Sequence, residues 1–518
     1  MSRTYYIDSL LGCDNNPGVT STAPWRTLEK VNSTVFEPGD RILFCSDRTY
    51  NGQLWPKGSG TAEHPIRIGR YGDGKKPLID GGGSHGTSEG KYVDGAAVLL
   101  FNQDYWEIED LEITNHNPYF KQGFTYFTPS GERNVMIPSP KNRYRYGILI
   151  RWDNYGTGHH VYLRKLDIHD INGEMQRFVA EGILVSCSGA EGADLTVSPT
   201  QGIVPTNFDD VLIEDCVIER IDRTGISVFS QWAGGRDCDV DYYGDLSKTH
   251  NFYHTTVGPW KGSTGLVVRG CRISWTAGDA MVINSTIGAL IEHNYVENAC
   301  YEMRIGANAA VWPHNADGTV IQYNEVCYTH GVADGQPFDI DLGCHDTVIQ
   351  YNYTHDNEGG FLLLMNFTWN NVIRYNISQN DRNGLIWIHE NEGSYFYNNT
   401  FYMGTEDISP FRGPYDCHKW TFVNNIFAFR VPTEIEWKEG AEYRSNCYVN
   451  VNVPNDTEAV VGDPGFVNPD KNRLNTVLSD YRLADNSPCA CRGEDIPQNG
   501  GIDFFGHKVE TPFIGAAK

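Results

Sequence analysis

Hydrophobic and polar positions along this chain follow a short, repeated rhythm. The segments LIEHNYVEN, VIQYNEVCY, VIQYNYTHD, VIRYNISQN and YFYNNTFYM each place a few β-favouring residues on either side of an asparagine. The asparagines are Asn294, Asn324, Asn352, Asn376 and Asn399, so the spacings are 30, 28, 24 and 23, and Asn425 follows 26 later. Degenerate versions precede them in WEIEDLEIT, VYLRKLDIH, VLIEDCVIE and LVVRGCRIS, with Asp or Gly near the Asn position. A period of this size in a strand-rich chain predicts a solenoid of stacked coils. No amphipathic helical window separates the strands, which excludes βαβ units. Stacking aligns the asparagines, whose amides then hydrogen-bond from coil to coil. The competing reading, a β-sandwich with coincidental Asn turns, does not account for so regular a series.

The period also assigns strands within a coil. TVIQY reads as a second strand, YTHD as a third, and FLLLMN as the first strand of the following coil, so FDIDL (residues 338–342) is the first strand of its own coil. Two stretches rich in aromatic and polar residues, about 118–146 and 232–260, break the period. A solenoid accepts insertions at its turns, and loops on one side convert a flat sheet into a walled groove.

FDIDL carries the candidate chemistry. With Phe338, Ile340 and Leu342 pointing into the solenoid, Asp339 and Asp341 share the outer face. Two residues along a strand separate Cα atoms by roughly 6.5–7 Å, which puts two carboxylates in the range that glycosidases use. The alternative is a solvated outer face. Against it stand the neighbouring coils, where Leu362, Leu364 and Trp312 are expected to point outward. Further carboxylates lie close by. Asp334 is in the turn before the strand, Glu358 is in the equivalent turn one coil later, expected near Gly335, and Asp346 is in the turn after it. Each alone is also an ordinary turn residue. His355 is a candidate to orient a carboxylate. Trp387 and His389, in LIWIHENE, are expected on the same face, where a Trp stacks on sugar rings. Glu390 and Glu392 are lesser acid candidates. RDCDVDYYGD offers Asp237, Asp239, Asp241 and Asp245, but Tyr242 and Lys248 occupy the places where an EF-hand needs Gly and Glu; a structural calcium remains the alternative to a solvated loop. No other metal or cofactor is expected.

Composition narrows the partners. The 518 residues are 40% hydrophobic and carry a formal charge of −25, so nucleic acid and anionic membrane surfaces are disfavoured. No apolar run reaches the roughly 20 residues of a membrane span. The opening MSRTYYIDS lacks a signal-type apolar stretch, which predicts a cytoplasmic location, or secretion if a signal has been removed. Thirteen scattered cysteines without a CxxC pair predict reduced, buried thiols and no zinc site.

The repeat, the opening YYIDSLLGCDNNPG…RILF…LIDGGG and the ending DPGFVNP…DYRLADNSPC…FIGA together resemble the right-handed parallel β-helix carbohydrate-active enzymes of bacteria. The resemblance implies an all-β solenoid with a capping segment over 1–85, a core over 86–455 and a closing segment over 456–518. The block DGQPFDID…QYNYTHDNEGGF is similar to β-helix glycoside hydrolases of the lacto-N-biosidase, β-xylosidase and fucosidase/xylanase type. This implies a pair of acidic residues here without saying which pair, and an oligosaccharide substrate. An intracellular setting would favour cleavage from a chain end. Two other functions remain open: a polysaccharide lyase on the same fold, with Arg304 as the nearest basic candidate, and a non-catalytic carbohydrate-binding solenoid.

Overall fold

A computed structural model describes residues 2–84, 86–87, 95–118, 124–127, 133–136, 143–173, 180–188, 203–234, 236, 259–302, 308–331, 334–389, 393–403, 411–413, 419–469, 478 and 480–518. They form two compact units, Met1–Ala289 and Leu290–Lys518. Most of each insertion lies outside the described residues, as do Asp237, Asp239, Asp241, Asp245, Arg304, Glu390 and Glu392. Among the described residues no helix is long and apolar enough to cross a membrane. The helix Leu28–Asn32 is a single turn, capped by Thr27, whose side chain accepts the Lys30 N–H.

Both units are built from parallel sheets that the chain visits in rotation, the arrangement of a parallel β-helix. In the first unit, Ala96–Phe101, Arg143–Asp153, Ala180–Ser188, Thr224–Ser230 and Met281–Asn284 pair in one parallel sheet. Glycines recur on its strands at 147, 182 and 225. A Cβ on Gly182 would meet the Gly225 carbonyl at 2.6 Å and Ile218 at 3.0 Å, so adjacent sheets close on each other too tightly for a side chain.

In the second unit the first sheet runs Val311–His314, Phe338–Ile340, Leu362–Leu364, Ile386–Ile388 and Phe411–Arg412. The second sheet includes Leu290–Glu292, Val320–Gln322, Val348–Gln350 and Val372–Arg374. The third includes Tyr295–Glu297, Glu325–Cys327, Tyr353–His355 and Ile377–Gln379.

The corner between second and third sheets explains the asparagines. It holds two residues. The first takes the left-handed conformation: His293, Tyr323, Tyr351, Tyr375, Asn398, Asn424 and Ser445 have φ of 50–57°. The second is the ladder asparagine. Each Oδ1 accepts both the backbone N–H and the side-chain amide of the asparagine one coil earlier, from Asn294 through Asn446, at 2.9–3.1 Å. From Asn324 onward each Nδ2 also donates to a carbonyl of the preceding coil, as Asn352 does to Ile321. The last rung faces Asp456, which accepts from the Asn446 backbone and side chain, Ser445 and Tyr448. Only an acceptor is needed there, and a carboxylate is one.

The same corner corrects the reading of the degenerate repeats. Asp110, Lys165, Asp215 and Gly270 occupy the left-handed position, one residue before the ladder slot. The slot itself holds Leu111, Leu166, Cys216 and Cys271. The two thiols point at Leu163 O and Ile213 O, weakly reproducing the amide's donation.

A second buried row starts the turn from third to first sheet. Thr329 N–H donates to Asn357 Oδ1, and Asn357 donates its N–H and its amide to Asp381 Oδ1. Thr354 and Ser378 hydroxyls donate to Asp381 Oδ2 at 2.5 and 2.6 Å. Burial nevertheless pushes the Asp381 carboxyl up to about 6. An unfolded Asp titrates near 4, so folding takes up a proton in between, and stability is expected to fall as pH rises from about 4 to about 6. Denaturant unfolding at about pH 4.5 and 6.5 should show this decline in the wild type and a flatter profile in Asp381→Asn.

Among the described residues after Val461 there is no further coil. Tyr481 donates to Gln379 Oε1, the Ala516 N–H to Thr400 Oγ1, and Phe513 and Ile514 pack with Tyr351, Tyr375 and Tyr397. The closing segment therefore covers the outer face of the third sheet and its corner.

Candidate active site

The first sheet of the second unit carries the outward acids. Its register pairs Phe338, Asp339 and Ile340 with Leu362, Leu363 and Leu364, and those with Ile386, Trp387 and Ile388. Phe338, Ile340, Leu362, Leu364, Ile386 and Ile388 are fully buried inside the coil stack. The outward neighbours of the aspartates therefore differ from those expected. Leu362 and Leu364 face inward, and Leu363 faces out beside Asp339; a shift of one residue exchanges the faces of a strand.

Two outward rows result. Val311 pairs with Phe338 and Trp387 with Arg412, so the first row is Trp312, Asp339, Leu363, Trp387, Arg412. The Asp341 N–H bonds Pro313 O, the Met365 N–H bonds Ile340 O and the His389 N–H bonds Leu364 O, so the second row is His314, Asp341, Met365, His389. Asp339 is 6% exposed and Asp341 3%. Side-chain alternation has thus put two carboxylates in a largely apolar, aromatic and imidazole-bearing surface. Their settings differ. Asp339 sits between Trp312 and Leu363, both nearly buried. Asp341 Oδ1 accepts the Leu342 N–H at 2.8 Å, a bond that favours the ionised form.

At the far end of the first row the Arg412 guanidinium carbon lies 3.8 Å from the centroid of the Trp387 ring. Burial lowers the Arg412 pKa, and the Asp334 charge acts the other way. Asp334, in the turn before the strand, is thereby placed within electrostatic reach of this surface. His389, whose ring is 5.5 Å from Trp387, is held below its usual pKa by burial and then by Arg412, so it is neutral at pH 7.

Glu358 lies in the turn next to Gly359, which abuts Asp334 and Gly335, and has partners of its own; His355 lies on another sheet. The Glu358 N–H bonds Thr329 O, which aligns the residue with His330 rather than Gly335. Its Oε2 accepts the Gly331 N–H at 3.0 Å and its Oε1 lies 3.7 Å from His330. It is Gly359 that abuts Gly335, so closely that a Cβ would fall 2.2 Å from the Gly335 carbonyl carbon. Glu358→Gln keeps one acceptor for Gly331 and is expected to change kcat by less than about threefold, whereas a loss of the size typical of an acid or base, about 100-fold or more, would return Glu358 to the chemistry. His355 is on the third sheet, fully buried, stacked on Tyr353 and bonded to Glu325 and Asp356. Asp346 accepts from Asn370 in its turn.

Sequence reading missed His314 and Arg412. Both were accessible from the period: 314 precedes 341 by 27, and 412 follows 387 by 25. Among the described residues no cluster of three or more His, Cys, Asp or Glu is placed to hold a metal ion.

The family described as "Right handed beta helix region" matches residues 259–401. The chain is 29% identical to a lacto-N-biosidase of Bifidobacterium longum subsp. longum in an alignment covering 89% of this chain. It spans 31% of that relative's length. The crystal structure of a GH136 lacto-N-biosidase from Eubacterium ramulus superposes with a TM-score of 0.63 at 26% identity, covering 81% of this chain and 67% of that one. XylC in complex with xylose aligns over 99% of this chain and 98% of its own, with a TM-score of 0.56 at 15% identity, a likeness of fold. The chain is a right-handed parallel β-helix. Along most of its length it is similar to lacto-N-biosidases.

Proposed function

We propose that this protein is a glycoside hydrolase that acts on oligosaccharides from a chain end, with its chemistry on the first sheet of the second unit. The carrying observation is the outward pair Asp339 and Asp341 on one strand, nearly buried among Trp312, His314, Leu363 and Met365. Similarity to lacto-N-biosidases supports hydrolysis of a glycosidic bond and suggests a lacto-N-biose-type disaccharide as the unit released.

The settings divide the labour. Asp341, hydrogen-bonded by a backbone N–H, is the ionised carboxylate that attacks the anomeric carbon or activates water. Asp339, between Trp312 and Leu363, is assigned the role of delivering a proton to the departing oxygen. Asp334, whose charge is felt at Arg412, is the alternative proton donor from the turn before the strand.

The test compares the wild type with Asp339→Asn and Asp334→Asn on aryl lacto-N-biosides and on the corresponding oligosaccharides. Asp339→Asn should lose about 100-fold or more on poor leaving groups and much less on activated aryl groups. If Asp334→Asn shows that split instead, the proton donor is in the turn. Ultraviolet absorbance from an unsaturated product would establish a lyase.

A further inference from the structure

The outer surface of Trp387 is not simply a sugar platform. The next strand lays the Arg412 guanidinium over its indole at 3.8 Å, and the Arg412 Nη1 atom is buried without a hydrogen-bond partner. A guanidinium has five N–H donors in a rigid fork and no way to lose its charge at ordinary pH. Packing it on an aromatic face restricts the fork, and Nη1 keeps an unfilled donor. Burial lowers its pKa, and Asp334 offsets only part of that. The neighbouring His389 is neutral, so Asp334 is the anion whose charge is recorded at Arg412.

We propose that Arg412, held on Trp387, is a specificity-determining residue that binds an anionic substituent, a sugar carboxylate, on the oligosaccharide. The position suits this role. Arg412 is three strands from Asp339 along one outward row, or about 14 Å at the spacing of parallel strands. Each strand step is close to the length of one sugar ring, so the carboxylate belongs to a residue two or three rings from the bond cleaved. An anion repays the guanidinium's desolvation more fully than a neutral hydroxyl does, because the hydrogen bonds are charge-assisted on both sides. The proposal rests on the hydrolase reading for the identity of its ligand as an oligosaccharide.

The experiment measures two things on the same samples: equilibrium binding, by calorimetry, and product release. The ligands are matched oligosaccharides that differ only in whether the terminal ring carries a carboxylate. The wild type should prefer the acidic ligand by roughly 10- to 100-fold, and Arg412→Gln should lose that preference while binding the neutral ligand within about threefold. Arg412→Lys, which keeps the charge but not the fork, should retain part of it. In turnover the loss should appear in KM rather than kcat. An equal loss on both ligands with an unchanged unfolding transition would overturn the proposal, as would no loss on either. Should acidic ligand bind through Arg412 while nothing is cleaved, the subsite stands and the hydrolase reading fails. Cleavage with no acidic preference removes the subsite and leaves the hydrolase reading in place.

Discussion

Asp341→Asn is expected to abolish turnover, lowering kcat/KM by about a thousandfold or more while leaving the fold intact. The size follows from its position. Asp341 Oδ1 is anchored by the backbone N–H of Leu342 at 2.8 Å, which fixes the carboxylate on the outer face. It is 3% exposed, so water cannot readily substitute for it as a charge or a base. Asn keeps the acceptor for Leu342 and nearly the same volume. Thermal unfolding should therefore stay within a few degrees of the wild type while hydrolysis of aryl lacto-N-biosides disappears. Added azide or formate would restore part of the rate if Asp341 acts as nucleophile or base. Full activity in Asp341→Asn would remove the strand from the mechanism.

Asn376→Ala should be strongly destabilising. Asn376 Oδ1 accepts from the Asn352 N–H and amide, and its Nδ2 donates to Ile349 O and Asn399 Oδ1. Truncation leaves four buried groups short of a partner. At about 1 kcal/mol each, the lower end of such penalties, the loss is about 4 kcal/mol. For a unit of this size that corresponds to a drop of about 8–16 °C in Tm. Asp456→Asn, at the ladder's end, can keep on one oxygen three of the five contacts that Asp456 accepts and should cost less. A Tm loss of equal size in both variants would contradict the directional ladder.

The fold was legible because the ladder writes itself into the sequence. In the second unit an asparagine recurs once per coil at the corner, and the short strands between the corners can only be paired by stacking. The degenerate coils were harder. Their ladder slot is filled by Leu111, Leu166, Cys216 and Cys271, and the visible Asp or Gly belongs to the left-handed residue before it. The site was partly legible. Alternation placed Asp339 and Asp341 outward, and the period placed Trp387 and His389 on their face. Register was less accessible, since FLLLMN is apolar on both faces and does not announce which leucines point in. Turns were least accessible. The two coils are offset by 24 here, as Phe338 pairs with Leu362, so an offset of 23 set Glu358 against Gly335 when Gly359 is the residue that meets it. His355 was misplaced for a related reason: a polar residue on the third strand is outward by alternation, but Tyr481 and its neighbours cover that face.

Hydrolysis of a glycosidic bond by the acidic face of FDIDL leaves a chemical trace in the product. The most direct measurement is product analysis after reaction with a lacto-N-biose-terminated oligosaccharide in water enriched in oxygen-18. The expected result is release of saturated disaccharide from the chain end with one labelled oxygen at its new reducing carbon, and no release by Asp341→Asn. An unsaturated, unlabelled product, or equal release by the variant, would contradict it.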